Sequence, residues 1–170
     1  MYNKIHMNLY RVVILDRNYS NHIFYHVDDL QKGEINVDSI PGMKELRPLE
    51  HKMFMDDIFE FPVDNSGVVS IVRSAVRKSK QIAGVLMLEN NKTFGRTVNK
   101  KRLLYKCIPD DVHLPAFLVP YEVKVGFSKV QKNKFVTFQF DNWNDKHPHG
   151  LLTETIGDVD NMDCFFEYQL

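Results

Sequence analysis

In the stretch KFVTFQF (134–140), Phe135, Thr137 and Gln139 fall on one face of an extended chain. Val136, Phe138 and Phe140 fall on the other. A period of two predicts a half-buried strand. Runs of similar character recur along the chain. LYRVVIL (9–15) and NHIFYHV (21–27) are β-branched and aromatic, joined by a turn-like DRNYS, and MFMDDIFEF (53–61) reads the same way. PVDNSG (62–67) interrupts the pattern with Pro, Asp, Asn and Gly, and predicts a domain boundary after residue 63. The second part, 64–170, restarts with GVVSIVRSAV (67–76) and IAGVLML (82–88), for which RKSKQ is a hairpin connection. LLYKCI (103–108), FLVPYEVKVGF (117–127) and MDCFFEYQL (162–170) complete the strand candidates. Helical periodicity is scarce. Residues 31–52 could hold a short helix, limited by Pro41, Gly42 and Pro48. Many short strands with regular turn signals predict an all-β protein of small barrels or sandwiches.

Composition adds little to the fold but constrains function. Hydrophobic residues make up 44% and aromatic residues 12% of the 170, enough for a packed core. Lys+Arg and Asp+Glu both total 22, so net charge names no partner, whereas the distribution of charge does. Nine basic residues and one acid, Glu89, lie between Arg73 and Arg102, while both flanks are acidic. Two distant cysteines, Cys107 and Cys164, form no CxxC pattern and no zinc-spaced quartet, so a reducing compartment is expected. The first residues carry no apolar run behind a basic end, and no window of 18 apolar residues occurs. Neither a signal peptide nor membrane insertion is expected.

Four pieces, in order, carry a resemblance over residues 67–170. GVVSIVRSAVRKSKQIAGVL (67–86) looks like an opening hairpin, a Gly-Val-Val-x-Ile-basic strand followed by one containing Gly-x-Leu. YKCIPDDVHLPAFLV (105–119) resembles an F-x-P-x-D-x-R-x-P segment. KFVTFQFDNW (134–143) resembles a strand ending in Asp-x-Trp. PHGLLTETIGDVDNMDCFFEYQL (148–170) resembles the Pro-x-Gly return and the acidic run that follows it. Together they resemble the second cold-shock-type OB domain of the RNase II family of 3′–5′ exoribonucleases, which includes RNase R and the exosome nuclease. YHVDDLQKGEINVDSI and EHKMFMDDIFEF, within residues 1–63, resemble the closing half of the preceding cold-shock domain. Of that domain's His-Gly-Asp, only Asp56 matches here; Phe54 and Met55 stand at the other two positions. The resemblance implies two small OB-type, cold-shock-like β-barrels in tandem, without the family's Mg²⁺-dependent nuclease domain and without its S1 domain.

Three stretches could carry chemistry. FDNWNDKHPHG (140–150) gathers the only tryptophan with Asp141, Asp145, His147 and His149. Histidines at i and i+2 share a strand face and could hold a metal, but Pro148 between them speaks for a loop and no third ligand is fixed. The preferred reading is structural: Trp143 caps the core, Asp141 bonds turn amides, and Pro148-x-Gly150 shapes the return. The resemblance implies a longer, more basic insert here, of which only Lys146 is kept. PDDVHLP (109–115) offers paired carboxylates and His113, read chiefly as a turn capped by Asp110 or Asp111. The basic middle is the best binding feature. Arg73, Arg77, Lys78 and Lys80 lie in or beside the predicted hairpin, and Arg96, Lys100, Lys101 and Arg102 in a loop. With Phe94 or Tyr105 nearby, this is the composition of a groove that tracks a nucleic-acid backbone and stacks bases. Solvation of an ordinary surface explains such a face equally. No phosphate-cradling glycine loop and no GxSxG occurs, and Cys107 and Cys164 read as buried small hydrophobes.

The expectation is therefore a non-catalytic protein with no cofactor and no metal. It binds single-stranded RNA through the basic face of the second barrel, at Arg73, Arg77, Lys78, Lys80, Arg96, Lys100, Lys101, Arg102 and Tyr105. The alternative is an OB pair serving protein–protein contacts in a larger assembly, such as a minor capsid or virion component of a large DNA virus. The expected place is the cytoplasm, or a viral particle assembled there.

Overall fold

The computed structural model describes residues 9–27, 33–62, 68–99, 101–123 and 131–159. The chain is nearly all β and divides into two compact units, Met1–Val76 and Arg77–Leu170. The boundary expected after residue 63 lies outside the described residues.

In the first unit, the strand expected in LYRVVIL is β1 (Leu9–Ile14), and its residues alternate, with Tyr10, Val12 and Ile14 buried. It pairs antiparallel with β2 (His22–His26), from Tyr10 opposite His26 to Ile14 opposite His22. The connection is an Asp-initiated turn. The Asp16 carboxylate accepts from the backbone amides of Asn18, Ser20 and Asn21, and the Ser20 side chain first, then these amides, hold its pKa below the ordinary carboxylate range. The third strand, β3 (Ile58–Glu60), pairs with β1 on its other edge, and β4 (Ser70–Arg73) pairs with β3. The sheet order is β2-β1-β3-β4, with an isolated bridge from Tyr25 to Glu34 beyond β2. Between β2 and β3 the expected helix reduces to a single 3₁₀ turn at Val37–Ser39, followed by turns. Met43, Leu46 and Met53 nevertheless reach into the core with Phe24 and Phe59, whose rings meet edge-on at 5.6 Å.

The placement of β4 corrects one reading. Residues 67–76 were expected to open the second barrel in a hairpin with 82–88. Ser70–Arg73 instead closes the first sheet, so PVDNSG falls between two strands that pair with each other. The residues that punctuate linkers also punctuate hairpins, and composition does not separate the two.

The second unit is a closed barrel of five strands: β5 (Ile82–Leu86), β6 (Leu103–Pro109), β7 (Phe117–Tyr121), β8 (Lys134–Asn142) and β9 (His149–Asp158). Around the barrel the order is β5-β6-β7-β9-β8. Every pair is antiparallel except β7 with β9, which run parallel at Leu118 and His149. First, second, third, fifth, fourth, with the third and fifth parallel, is the OB arrangement, a Greek-key barrel. Counting the Glu34 bridge as a rudimentary strand, the first sheet has the same succession of neighbours, open between its third and fifth members.

Two glycines let this barrel close. A Cβ on Gly84 would lie 2.8 Å from the Ile108 carbonyl oxygen, and one on Gly150 would lie 2.8 Å from a Phe138 ring carbon. Both strands therefore press against their neighbours where a side chain would sit. Phe117 and Phe138 fill the space, fully buried and edge-on with centroids 4.9 Å apart. The simple alternation expected in KFVTFQF is interrupted by bulges at Phe135/Val136 and Thr137/Phe138. Phe135 and Val136 are consequently both buried, because a bulge resets which face follows. MDCFFEYQL and Cys164 lie outside the described residues.

Candidate nucleic-acid interface

OB barrels bind oligonucleotides on the face of their second and third strands, between the loop joining strands one and two and the loop joining strands four and five. In this barrel those are β6 and β7, the β5–β6 loop (87–102) and the β8–β9 loop (143–148). A cavity of about 470 Å³ opens at that position. Phe94, Arg96, Thr97 and Val98 line it from the first loop, and Asn144 to His147 from the second. Leu104, Leu118 and Pro120 form its floor, and Asp141 and His149 stand at the strand ends.

The β5–β6 loop is held by the ladder from which it grows. Phe94 N–H donates to the Leu104 carbonyl at 2.8 Å, Leu104 N–H to the Gly95 carbonyl at 2.8 Å, and Thr97 N–H to the Arg102 carbonyl at 2.9 Å. The turn beyond is fastened by Asn99, whose side-chain oxygen accepts from the Lys101 amide and the Thr97 hydroxyl. Phe94 is thereby fixed, half-buried, at the groove. The ammonium groups of Lys92 and Lys106 stand 5.3 and 5.5 Å from its ring centre, and the His147 ring lies 6.4 Å away. Each exposed cation–π contact contributes roughly 0.5–1 kcal/mol. The geometry also leaves two positive charges beside an aromatic face.

The β8–β9 loop is pinned at both ends. Trp143 is 7% exposed at the exit of β8, Pro148 is buried, and the Pro148 carbonyl accepts from the Leu118 amide at 2.9 Å. The residues between these anchors, Asn144 to Lys146, are exposed. At its edge His147 is partly buried. Burial, then the charges of Lys146 and Lys106 and the neighbouring His149, hold its pKa below the ordinary histidine value. The neutral imidazole is thereby favoured. Among the described residues no group of three or more His, Cys, Asp or Glu is gathered that could hold a metal ion. In PDDVHLP, the Asp111 carboxylate accepts from the His113 amide at 2.9 Å, a turn that leads into buried Leu114.

The residues expected at the interface do not all meet. Arg96 lines the cavity, and Lys101 and Arg102 are exposed on the turn of the same loop. Lys100 lies outside the described residues. Arg77 stacks its guanidinium 5.1 Å from the Phe140 ring, and Lys78 and Lys80 are exposed on and after the short helix α1 (Ala75–Lys78); none of the three lines the cavity. Arg73 belongs to β4 in the first sheet. Tyr105 requires a correction: it is 5% exposed, with its ring edge-on to Tyr121 at 6.2 Å, and offers no face for stacking. The alternation of β6 turns Tyr105 inward and Lys106 outward. The sequence reading did not single out Lys92 and Lys106, and it weighed Lys146 and His147 but preferred a structural role for their loop. The clearest signal for this groove was an aromatic, Phe94, set among Asn, Lys, Gly and Arg in a loop that also carries the expected Arg96.

Fold and groove together define an OB-type barrel with a mixed-charge cleft at the customary ligand position. No protein-family model and no curated protein matches the chain.

Proposed function

We propose that this protein binds single-stranded nucleic acid, RNA foremost, in the groove between the β5–β6 and β8–β9 loops, without catalysing its cleavage. The observation that carries this reading is the Phe94 ring. It is fixed by backbone hydrogen bonds, flanked by Lys92 and Lys106, and placed at the mouth that OB barrels use. A base stacking on the ring takes the place of an ammonium group over its face, and the displaced ammonium meets the adjacent phosphate. The kinship with the accessory domains of RNase II-type exoribonucleases is part of the same proposal, as is a place in the cytoplasm or in a viral particle assembled there. The test is anisotropy of a labelled, unstructured oligoribonucleotide at about 50 mM salt, where phosphate contacts are strong. Phe94→Ala should weaken binding about tenfold, since stacking on one aromatic contributes about 1–3 kcal/mol. Absence of binding by the parent protein, or an unchanged affinity in the variant, would end this reading.

A second reading, protein–protein contact within an assembly, draws on β4. It is the last strand of its sheet among the described residues, with Val72 50% exposed on it and Val68 86% exposed just before it. A protein that stays monomeric at high concentration and is recovered without partner proteins would remove that alternative.

A further inference from the structure

The groove carries more than cations. Asp141 and Asp145 line it together with Arg96 and Lys146, and so do the amides of Asn142 and Asn144. Carboxylates repel phosphate, so these two contribute nothing to holding a backbone. Local turn chemistry accounts for Asp141 in part, since one of its oxygens accepts from the Asn142 side chain at 3.0 Å. A carboxylate accepts hydrogen bonds from the ribose hydroxyls and from the N–H groups of a base, and only the second differ from base to base. An ionised carboxylate only accepts hydrogen bonds, and it pairs with exocyclic amino groups such as that of cytosine. Phe94 supplies the complementary half of such a site, a ring on which the base lies flat while its polar edge faces the groove lining.

We propose that this groove selects bases bearing an exocyclic amino group over uracil, with Asp145 as the reading residue and Asp141 beside it. The inference rests on the nucleic-acid reading above and names its ligand class. Cytosine and uracil stack alike and differ on the polar edge: cytosine presents an amino group where uracil has a carbonyl, and the one edge donor of uracil, N3–H, lies between two carbonyl oxygens that repel an approaching carboxylate. A carbonyl facing a carboxylate is repelled and leaves both acceptors without a donor, whereas the amino group satisfies the carboxylate directly. Adenine and guanine also carry amino groups and belong with cytosine.

The experiment compares dodecamers of cytidine, adenosine and uridine by anisotropy at pH 8 and fixed salt. Asp145→Asn and Asp145→Ala are measured beside the parent, and each protein is shown to be folded by its Trp143 fluorescence. The expected result is cytidine and adenosine bound about tenfold more tightly than uridine, the scale of one specific base contact. In Asp145→Asn the cytidine-to-uridine ratio should fall toward one, because an amide donates as well as accepts. Equal affinities in the parent protein would overturn the selectivity while leaving nucleic-acid binding intact. Binding to none of the three would overturn both. A cytidine preference that survives Asp145→Ala undiminished would overturn the assignment of Asp145.

Discussion

Gly150→Ala tests how tightly the barrel is closed. Gly150 sits in β9 opposite Phe140, and its φ is not positive, so alanine meets no backbone penalty there. The difficulty is space. The new methyl would stand 2.8 Å from a Phe138 ring carbon, 3.0 Å from the Gln139 carbonyl oxygen and 3.4 Å from a Phe117 ring carbon. Carbon atoms rest about 3.5–4.0 Å apart, so the closest contact is short by roughly 1 Å. Neither ring can swing away, since both are fully buried and packed against each other. Overpacking of this kind costs about 1–3 kcal/mol, offset by about 0.4–1 kcal/mol from the stiffer unfolded chain. A net loss of about 1–2 kcal/mol lowers the midpoint of a domain this size by roughly 4–15 °C. The assay is built into the chain. Trp143 is the only tryptophan, and it is buried in this barrel, so its fluorescence follows the second unit's unfolding by urea or heat. An unchanged or raised midpoint would refute the close packing of β9 on the Phe117–Phe138 pair.

Other consequences can be checked with the same materials. Bound phosphate favours the charged form of His147, whose pKa in the free protein lies below the ordinary value; affinity for oligonucleotide should therefore rise as pH falls from 8 toward 6, and His147→Gln should flatten that dependence. The Asp16 pKa is depressed in the folded first unit, so its stabilisation is present above the unfolded carboxylate value and is lost as pH falls through the folded one; acid unfolding of that unit should come at higher pH in Asp16→Asn. The dependence of affinity on salt should be shallow, with a logarithmic slope no steeper than about −3, because Lys92, Arg96, Lys106 and Lys146 set at most four phosphate contacts and Asp141 and Asp145 oppose them. A slope near −6 would place the main contacts on other basic residues.

What the sequence discloses here depends on whether a feature is local. The β1 strand was legible because its run of β-branched and aromatic residues is a property of one local segment. The existence of an all-β fold follows from many such runs. The partner of a strand is not local, and GVVSIVR shows the cost: its composition suits either sheet, and only the ladder with Ile58–Glu60 assigns it to the first. β9 escaped notice for a related reason. HGLLTETIGD buries only Gly150, and it is a strand because β8 pairs along its length and β7 meets its start. In the groove, charge was legible and orientation was not. The pair Tyr105-Lys106 offers both an aromatic and a cation, and the strand register turns the aromatic inward, leaving half-buried Phe94 as the ring at the groove.

The stretch from Phe140 to Gly150 combines two tasks that the fold keeps apart. Trp143, Pro148 and Gly150 are buried and hold the loop by its ends, through core packing and the hydrogen bond from Leu118 to the Pro148 carbonyl. Asn144, Asp145 and Lys146 are exposed between those anchors and line the groove. Substitutions at the anchors disturb packing and site together, whereas substitutions at the tip change the chemistry of the groove on an unaltered barrel. That separation is what allows the proposed base-reading role of Asp145 to be measured without loss of the fold. With Lys92, Lys106 and Arg96 on the other side supplying positive charge, the β8–β9 loop is free to carry acceptors, and under the proposed reading a groove of mixed charge would discriminate between bases where a purely basic one would only hold the backbone.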